Sequence, residues 1–325
     1  KAYTLSGSEL FSVPMQYYSN SWAHEEWYMK LRAMVYGVGQ MNMLATRLLT
    51  EKGVEIVGAI NRSGPKIGKD LGLLSGIDKL NVPISDNPEK VLSKEADIVI
   101  VGVAGELPRM LPIYKQCLEA EKNVATIGES SSYSWRLYPE HTTMLDNLAK
   151  EHGVTITGTG AQDFGIVHLG VLLSGACHKI DKIIYRSYFD ATHFGKETLA
   201  ALSKSPSMYT TFWDNVASAL KLTIVNVEEN IGPNGTKLNV TTDQGIEMVG
   251  EYTFATEEEH CSGKKEYKEW EIQGEPNLHV KVNGLGSPVV TSAQTVNRIP
   301  HIIQAPPGYV TIEKLPILKY LPGHI

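Results

Sequence analysis

A doubly wound parallel α/β sheet, followed by an α+β unit with a largely antiparallel sheet, is the fold class that this sequence predicts. Three observations predict it. An apolar run at residues 33–36 leads through a glycine-rich turn into helical spacing and then into a second apolar run at 54–60. A nearly continuous β-branched stretch, 96–103, reads as a parallel strand covered on both faces. Beyond Gly160 strand-like alternation recurs without intervening helices.

The first observation is a strand–helix–strand unit of about thirty residues, the size of a βαβ element. Met43, Leu44, Arg47, Leu48 and Leu49 mark its helix. After the 96–103 strand come a helix at 111–121, a strand at 123–127, a helix that Pro139 can start and Gly153 end, and a strand at 154–157. This alternation is the Rossmann pattern. Strands are then expected at 182–189, 222–227, 246–255, 268–272 and 278–282, separated by turn residues such as Gly232-Pro233-Asn234-Gly235. The expected organisation is an N-terminal extension (1–30), a nucleotide-binding domain (31–160) and a substrate-binding and dimerisation domain (161–300). The Pro-rich tail, from Arg298-Ile299-Pro300 onwards, is expected to return to the first domain.

With 325 residues, a net charge of −6 and no dense Lys/Arg run, the chain lacks the footprint of a nucleic-acid binder. Cys117, Cys177 and Cys261 are far apart, against a disulfide framework or thiolate zinc site, and a reducing, cytoplasmic compartment is expected. No membrane segment is expected. Scattered histidines without a His-x-x-x-His pair argue against any metal site.

Gly37-Val38-Gly39-Gln40-Met41-Asn42 places one glycine where the turn is tight and another where pyrophosphate approaches the backbone at a helix N-terminus. An ordinary tight turn would share the glycines, but its place inside a βαβ unit favours a dinucleotide. Asn42 stands where a third glycine is usual, and would loosen the packing or cap the helix. Asn61-Arg62-Ser63 ends the second strand without the carboxylate that bonds a ribose hydroxyl, and Arg62 can pair with a 2′-phosphate. NADP(H) is therefore the expected cofactor, with NAD(H) as the alternative. Val103-Ala104-Gly105 offers small residues at the switch point.

Glu129 follows the 123–127 strand, at the carboxyl edge where a nicotinamide would lie; position alone slightly favours a solvated or capping glutamate. The run Gly128-Glu129-Ser130-Ser131-Ser132-Tyr133-Ser134-Trp135-Arg136, the segments Gly158-Thr159-Gly160 and Val296-Asn297-Arg298-Ile299-Pro300, and Ala305-Pro306-Pro307-Gly308 resemble the 2,4-diaminopentanoate dehydrogenase-like family, which includes the native amine dehydrogenases. The resemblance spans residues 32–316. It implies a fold related to dihydrodipicolinate reductase and the reversible reductive amination of small aliphatic ketones or aldehydes by ammonia. It also implies that Glu129 is the acid–base group. Asn297 joins the cofactor set through the same match. The sequence departs from the family at Ala161-Gln162-Asp163-Phe164-Gly165, where relatives commonly show Asn-Pro-Gly-Phe.

Gln162, Asp163, Ile166, Val167, Tyr188, His193 and Thr291 are the candidate pocket residues, although Ile166 and Val167 also suit an ordinary core and His193 a loop. A diamine or amino-acid substrate would require fixed charges in that pocket, and neither Asp163 nor Asp190 can be assigned the role from sequence. Two other functions fit the same residues: reduction of a preformed C=N or C=O bond, and non-catalytic NADP sensing. A homodimer is expected, because an open sheet needs its face or edge covered.

Overall fold

The computed structural model describes residues 31–128, 130–190, 207–232, 235–255, 259 and 262–322. Seven parallel strands form the first sheet: β1 (Arg32–Tyr36), β2 (Glu55–Ile60), β3 (Ile84–Ser85), β4 (Ile98–Val101), β5 (Asn123–Thr126), β6 (Thr155–Gly158) and β13 (Gly308–Tyr309). Their order, β3-β2-β1-β4-β5-β6-β13, is the doubly wound arrangement, with β13 added from the end of the chain. The β4 residues alternate between the two cores: Ile98 and Ile100 pack on one face, Val99 and Val101 on the other. Both faces of a central parallel strand are covered by helices, so every position can be apolar.

Helices α1 (Gln40–Glu51) and α2 (Leu71–Leu74) cover the first face, and α3 (Pro88–Leu92), α4 (Leu107–Glu119) and α5 (Pro139–Glu151) the second. The α4 helix begins four residues earlier than its periodicity suggested. Pro108 suits a first turn, where a missing N–H costs nothing.

After β6 the chain winds as a π-helix (Asp163–His168) that continues into α6 (Leu169–Ser174). Strand β7 (Lys179–Phe189) then enters the second sheet, joined by β8 (Ile224–Gly232), β9 (Gly235–Thr242), β10 (Glu247–Phe254), β11 (Tyr267–Glu275) and β12 (Leu278–Asn283), in the order β12-β11-β7-β10-β9-β8. All neighbours are antiparallel except β7 and β10, so this sheet is mixed. Helix α7 (Ser207–Ala219) packs on its inner face through Phe212, Trp213 and Val216, against Trp270, Leu238 and Met248.

The segment expected to be tail begins as a helix. Pro300 lies inside α8 (Pro288–Gln304), which packs beside α1 on the first sheet through Val296, Ile299 and Ile302. Proline disfavours a helix interior in general; here the apolar stripe on either side keeps the helix going. No helix among the described residues is long and apolar enough to cross a membrane.

Candidate active site

The dinucleotide turn is built by exclusion. Gly37 has φ +87°, and a Cβ on it would lie 2.6 Å from Val103 Cγ2 and 2.8 Å from the Gly102 carbonyl. Only glycine fits both constraints. Gly39, in contrast, faces open space and precedes α1, whose first turn has neither a side-chain cap nor an acidic residue. Amide N–H groups and the positive end of a twelve-residue helix are thus left for an anion. Gln40 and Met41 begin that helix, and Gln40 is exposed.

Asn42 does not cap the helix. It is buried, and its amide donates to the carbonyls of Gly37 (2.9 Å), Ile100 (3.0 Å) and Tyr36 (3.2 Å). Its space comes from the facing strand end: a Cβ on Gly102 would lie 2.7 Å from Asn42 Cγ. The glycine missing from α1 is, in effect, supplied across the crossing, and packing stays tight.

Asn61 accepts from the Val38 N–H (3.1 Å), so its side chain braces the buried Val38 turn. Arg62 and Ser63 are exposed, and the Ser63 hydroxyl donates to Asp86 (2.7 Å). Lys66, absent from the sequence reading, donates to the Val38 carbonyl and sets a second cation beside the turn. Its only sequence signal was charge a few residues after β2. Val103, Ala104 and Gly105 are half-buried at the end of β4. These residues fit a dinucleotide: an uncapped helix, an open glycine and cations where β2 ends.

Glu129 and His193 lie outside the described residues. The neighbours of position 129 are firmly held. Gly128 has no room for a side chain, since a Cβ would meet the Tyr114 hydroxyl at 2.6 Å. Ser130, Ser131, Ser132 and Ser134 are all buried. Ser130 Oγ accepts from the Leu107 N–H (2.8 Å), tying the β5 turn to the start of α4. The Tyr114 hydroxyl bonds both Thr126 and Ser131 at 2.8 Å. Tyr309, on β13, donates to the Ser131 carbonyl (2.6 Å) and shares a hydrogen bond with Ser134 (2.8 Å). Gly158 on β6 yields to the same turn, for its Cβ would lie 2.2 Å from the Ser131 carbonyl.

On the other side the turn is fastened to α7. Ser132 bonds Thr211 (3.1 Å), Asn215 donates to the Ser132 carbonyl (3.3 Å), and Arg136 grips Asp214 through two bonds of 2.6 and 2.9 Å. Burial raises the Asp214 carboxyl pKa, and the guanidinium opposes this. A second carboxylate, Glu106, precedes α4 at the neighbouring strand end, where it accepts from the Tyr138 hydroxyl (2.6 Å).

The expected pocket residues divide. Thr291 belongs near the turn: together with Ile127 it brackets Gly160, whose Cβ would lie 3.2 Å from each. Gln162 is adjacent, with its Oε1 buried and unbonded among the described residues. Asp163 is fully buried and bidentate to Arg298 (2.5 and 2.7 Å), so its charge serves the fold. Ile166 joins the second-domain core and Val167 is fully buried, as the plainer reading allowed. Tyr188 pairs with Tyr267 across β7 and β11, their rings stacked at 5.9 Å. It shares a sheet face with Arg186, Glu251, Glu269 and Glu271, opposite to the Trp270 side. Asn297 sits mid-helix, about 13 Å along α8 from its N-terminus, with Oδ1 buried and unbonded among the described residues. It does not cap a turn.

A cavity of about 770 Å³ opens between Gln40 and the second domain, lined also by Asp190, Lys264, Lys265, Glu266, Ser287 and Pro288. It gives the cradle a wall from each half of the chain.

Comparison with known proteins bears on this arrangement. Residues 31–110 match the family described as dihydrodipicolinate reductase, N-terminus, and residues 257–325 the 2,4-diaminopentanoate dehydrogenase C-terminal domain. The chain is 28% identical over 344 residues to 2,4-diaminopentanoate dehydrogenase of Acetoanaerobium sticklandii, covering 90% of this chain and 96% of the relative. The solved amine dehydrogenase of Mycobacterium smegmatis is 31% identical, with a TM-score of 0.80 over 91% of this chain and 98% of that one. The chain belongs to the amine dehydrogenase family. Members of this family are oxidoreductases, and this chain is one of them. The WlbA (WbpB) dehydrogenase of Thermus thermophilus, solved with NAD and α-ketoglutarate, shares the fold at 14% identity, with a TM-score of 0.56 over 86% of this chain and 96% of that one.

Proposed function

We propose that this amine dehydrogenase family member catalyses reversible reductive amination of small aliphatic carbonyl compounds, using a nicotinamide cofactor with NADPH preferred. A carbonyl compound, ammonium, NAD(P)H and a proton give a primary ammonium product, NAD(P)⁺ and water. A C–N and a C–H bond form, and the carbonyl oxygen leaves as water. The observation that carries the reading is the junction at the carboxyl edge. The turn flanking position 129 is locked to α4 through Ser130, to β13 through Tyr309 and to α7 through Arg136, on the same edge as the uncapped α1 cradle.

Bound nicotinamide supplies or accepts the hydride. In this reading the chain does the rest. Glu129 holds ammonium, takes its proton as nitrogen attacks the carbonyl, and returns a proton to the departing hydroxyl. Its negative charge also favours a cationic C=N carbon. Gly39 and the first amides of α1 hold pyrophosphate, with Arg62 and Lys66 on the side where a 2′-phosphate would lie. Thr291 and Gln162 border the space for substrate. The proposed assembly is a homodimer, to be measured by light scattering.

Cofactor oxidation should require ammonium and carbonyl together and run faster with NADPH than with NADH at equal concentration. Glu129→Gln should lose at least 100-fold in kcat while binding cofactor as before, on the scale of general acid–base catalysis. Carbonyl reduction independent of ammonium would favour the reductase reading instead.

A further inference from the structure

Two helices from different ends of the chain open on the same 770 Å³ cavity. Gln40 begins the twelve-residue α1, Ser287 and Pro288 begin the seventeen-residue α8, and all three residues line that space. Neither helix carries an acidic residue in its first turn. An α-helix N-terminus acts as a partial positive charge, about half an elementary charge, so the pair favours an anion between them. Ser287 Oγ accepts from the Val290 N–H (3.4 Å), which leaves α8 to contribute its dipole, whereas α1 has no side-chain cap.

The facing wall carries cations where the chain enters β11. Lys264 and Lys265 are exposed and line the cavity together. The Lys264 ammonium is already engaged: it donates to Glu259 (2.5 Å) and stands 4.0 Å from the centroid of the Tyr188 ring. Lys265 has no hydrogen bond or ion pair among the described residues. Two carboxylates, Asp190 and Glu266, line the same space. Glu266 accepts from the Asp190 N–H (2.9 Å), and a Cβ on Gly286 would collide with its carboxylate, so Glu266 ties the end of β7 to the loop before α8. Lys265 is the cation left to act across the cavity.

We propose that Lys265 is a cofactor-binding residue supplied by the second domain, which pairs with the dinucleotide pyrophosphate from the side opposite to Gly39 and the start of α1. Each phosphate of that group is an anion, and the α1 terminus compensates only about half an elementary charge. A lysine ammonium, a point charge on a flexible stem, can reach the exposed oxygens. Bound coenzyme then fastens one half of the chain to the other. Arg62 and Lys66 stand on the side of a 2′-phosphate, at the end of β2, so Lys265 acts on phosphorylated and unphosphorylated coenzymes alike. The inference rests on the nicotinamide cofactor of the proposed function, but the binding it concerns is read without turnover.

Titration of the full chain with NADPH and, separately, with NADH, followed by coenzyme fluorescence without carbonyl or ammonium, tests it. Lys265→Gln should weaken both coenzymes by the same factor, on the order of tenfold, the scale of one charge-assisted hydrogen bond. Lys265→Glu should weaken them further, Lys265→Arg should stay near wild type, and added salt should cost wild type more affinity than Lys265→Gln. Without coenzyme the variants should melt with wild type, and NADPH should raise their melting temperatures less. Unchanged affinity in the Gln and Glu variants overturns the proposal, and so does a loss confined to NADPH, which places the lysine at the 2′-phosphate. A wild type that binds neither coenzyme removes the cofactor reading and this inference together, whereas one that binds both while the variants match it removes this inference alone.

Discussion

Asn42 and Gly102 show how two residues can exchange roles at a crossing of helix and strand. The helix carries the side chain, the facing strand end carries the void, and three backbone carbonyls gain a donor. Gly102→Ala should cost about 1–3 kcal/mol by overpacking, and Asn42→Gly a similar amount through lost hydrogen bonds. The double variant should lose less than the sum, because the methyl enters the space the amide left; urea unfolding of the three proteins measures it. Lys268 gives a pH prediction. Its folded pKa, about 8, lies below the ordinary 10.5, so the unfolded chain binds the extra proton between these values. The buried charge costs stability in full below about pH 8, and the cost is relieved as pH rises towards 10.5. Relative to Lys268→Met, wild type should gain on the order of 3 kcal/mol across that window, followed by denaturant midpoints at each pH. A strand at 268–272 was legible in its alternation, whereas the Ala161 carbonyl, the one acceptor of Lys268 among the described residues, is 107 positions away.

Among the elements, the π-helix and α8 are joined by the least exposed ion pair in the described structure, Asp163 with Arg298, both side chains 0% exposed. Arg298 also donates to the Pro316 carbonyl (2.6 Å), so one guanidinium fixes the π-helix, α8 and the closing segment. Removing one partner should destabilise by about 3–5 kcal/mol, whereas replacing both with apolar residues of similar volume should cost much less. Asp163→Asn, Arg298→Met and the Asp163→Leu/Arg298→Met pair, compared by thermal unfolding, test this. The sequence shows both residues plainly but not their pairing across 135 positions, so Asp163 reads as a pocket residue until the fold neutralises it. Strands β1, β2, β4, β5 and β6 of the first sheet were legible because their βα units are local: apolar run, glycine turn, helical spacing; the two-residue strands β3 and β13 were not. Nor were strand β9 and helices α7 and α8. Proline at 300 and mixed polar spacing obscure α8, and the apolar face that sustains it is completed only by α1 and the sheet.

Across the whole molecule the proposed chemistry sits where the two halves meet, and Arg136–Asp214 is a charged fastening between them. Asp214 is 3% exposed on its side chain. Arg136→Met leaves that carboxylate buried without its partner, at a cost of about 2 kcal/mol for a lost charged hydrogen bond. The expected result is a lower melting temperature and a lower kcat, with the KM for cofactor unchanged because the cradle at Gly39 lies elsewhere; steady-state kinetics and a melting curve check both. The candidate site was legible in its parts, Gly37 to Asn42 and the run from Gly128 to Arg136, since each is contiguous. What joins them, Ser130 to Leu107 and Ser132 to Thr211, depends on tertiary approach.

Tyr309 gives that joining an order in time. Its ring stands edge-on to Trp135 at 6.0 Å, and its hydroxyl holds the Ser131 carbonyl from a two-residue strand near the end of the chain. As the polypeptide leaves the ribosome, the first six strands can pair long before residue 309 emerges, yet the serine turn still lacks its last tether. The newborn protein should thus pass through a stage that can grip nucleotide without being able to use it, and catalytic competence should arrive only once Tyr309 has joined the sheet.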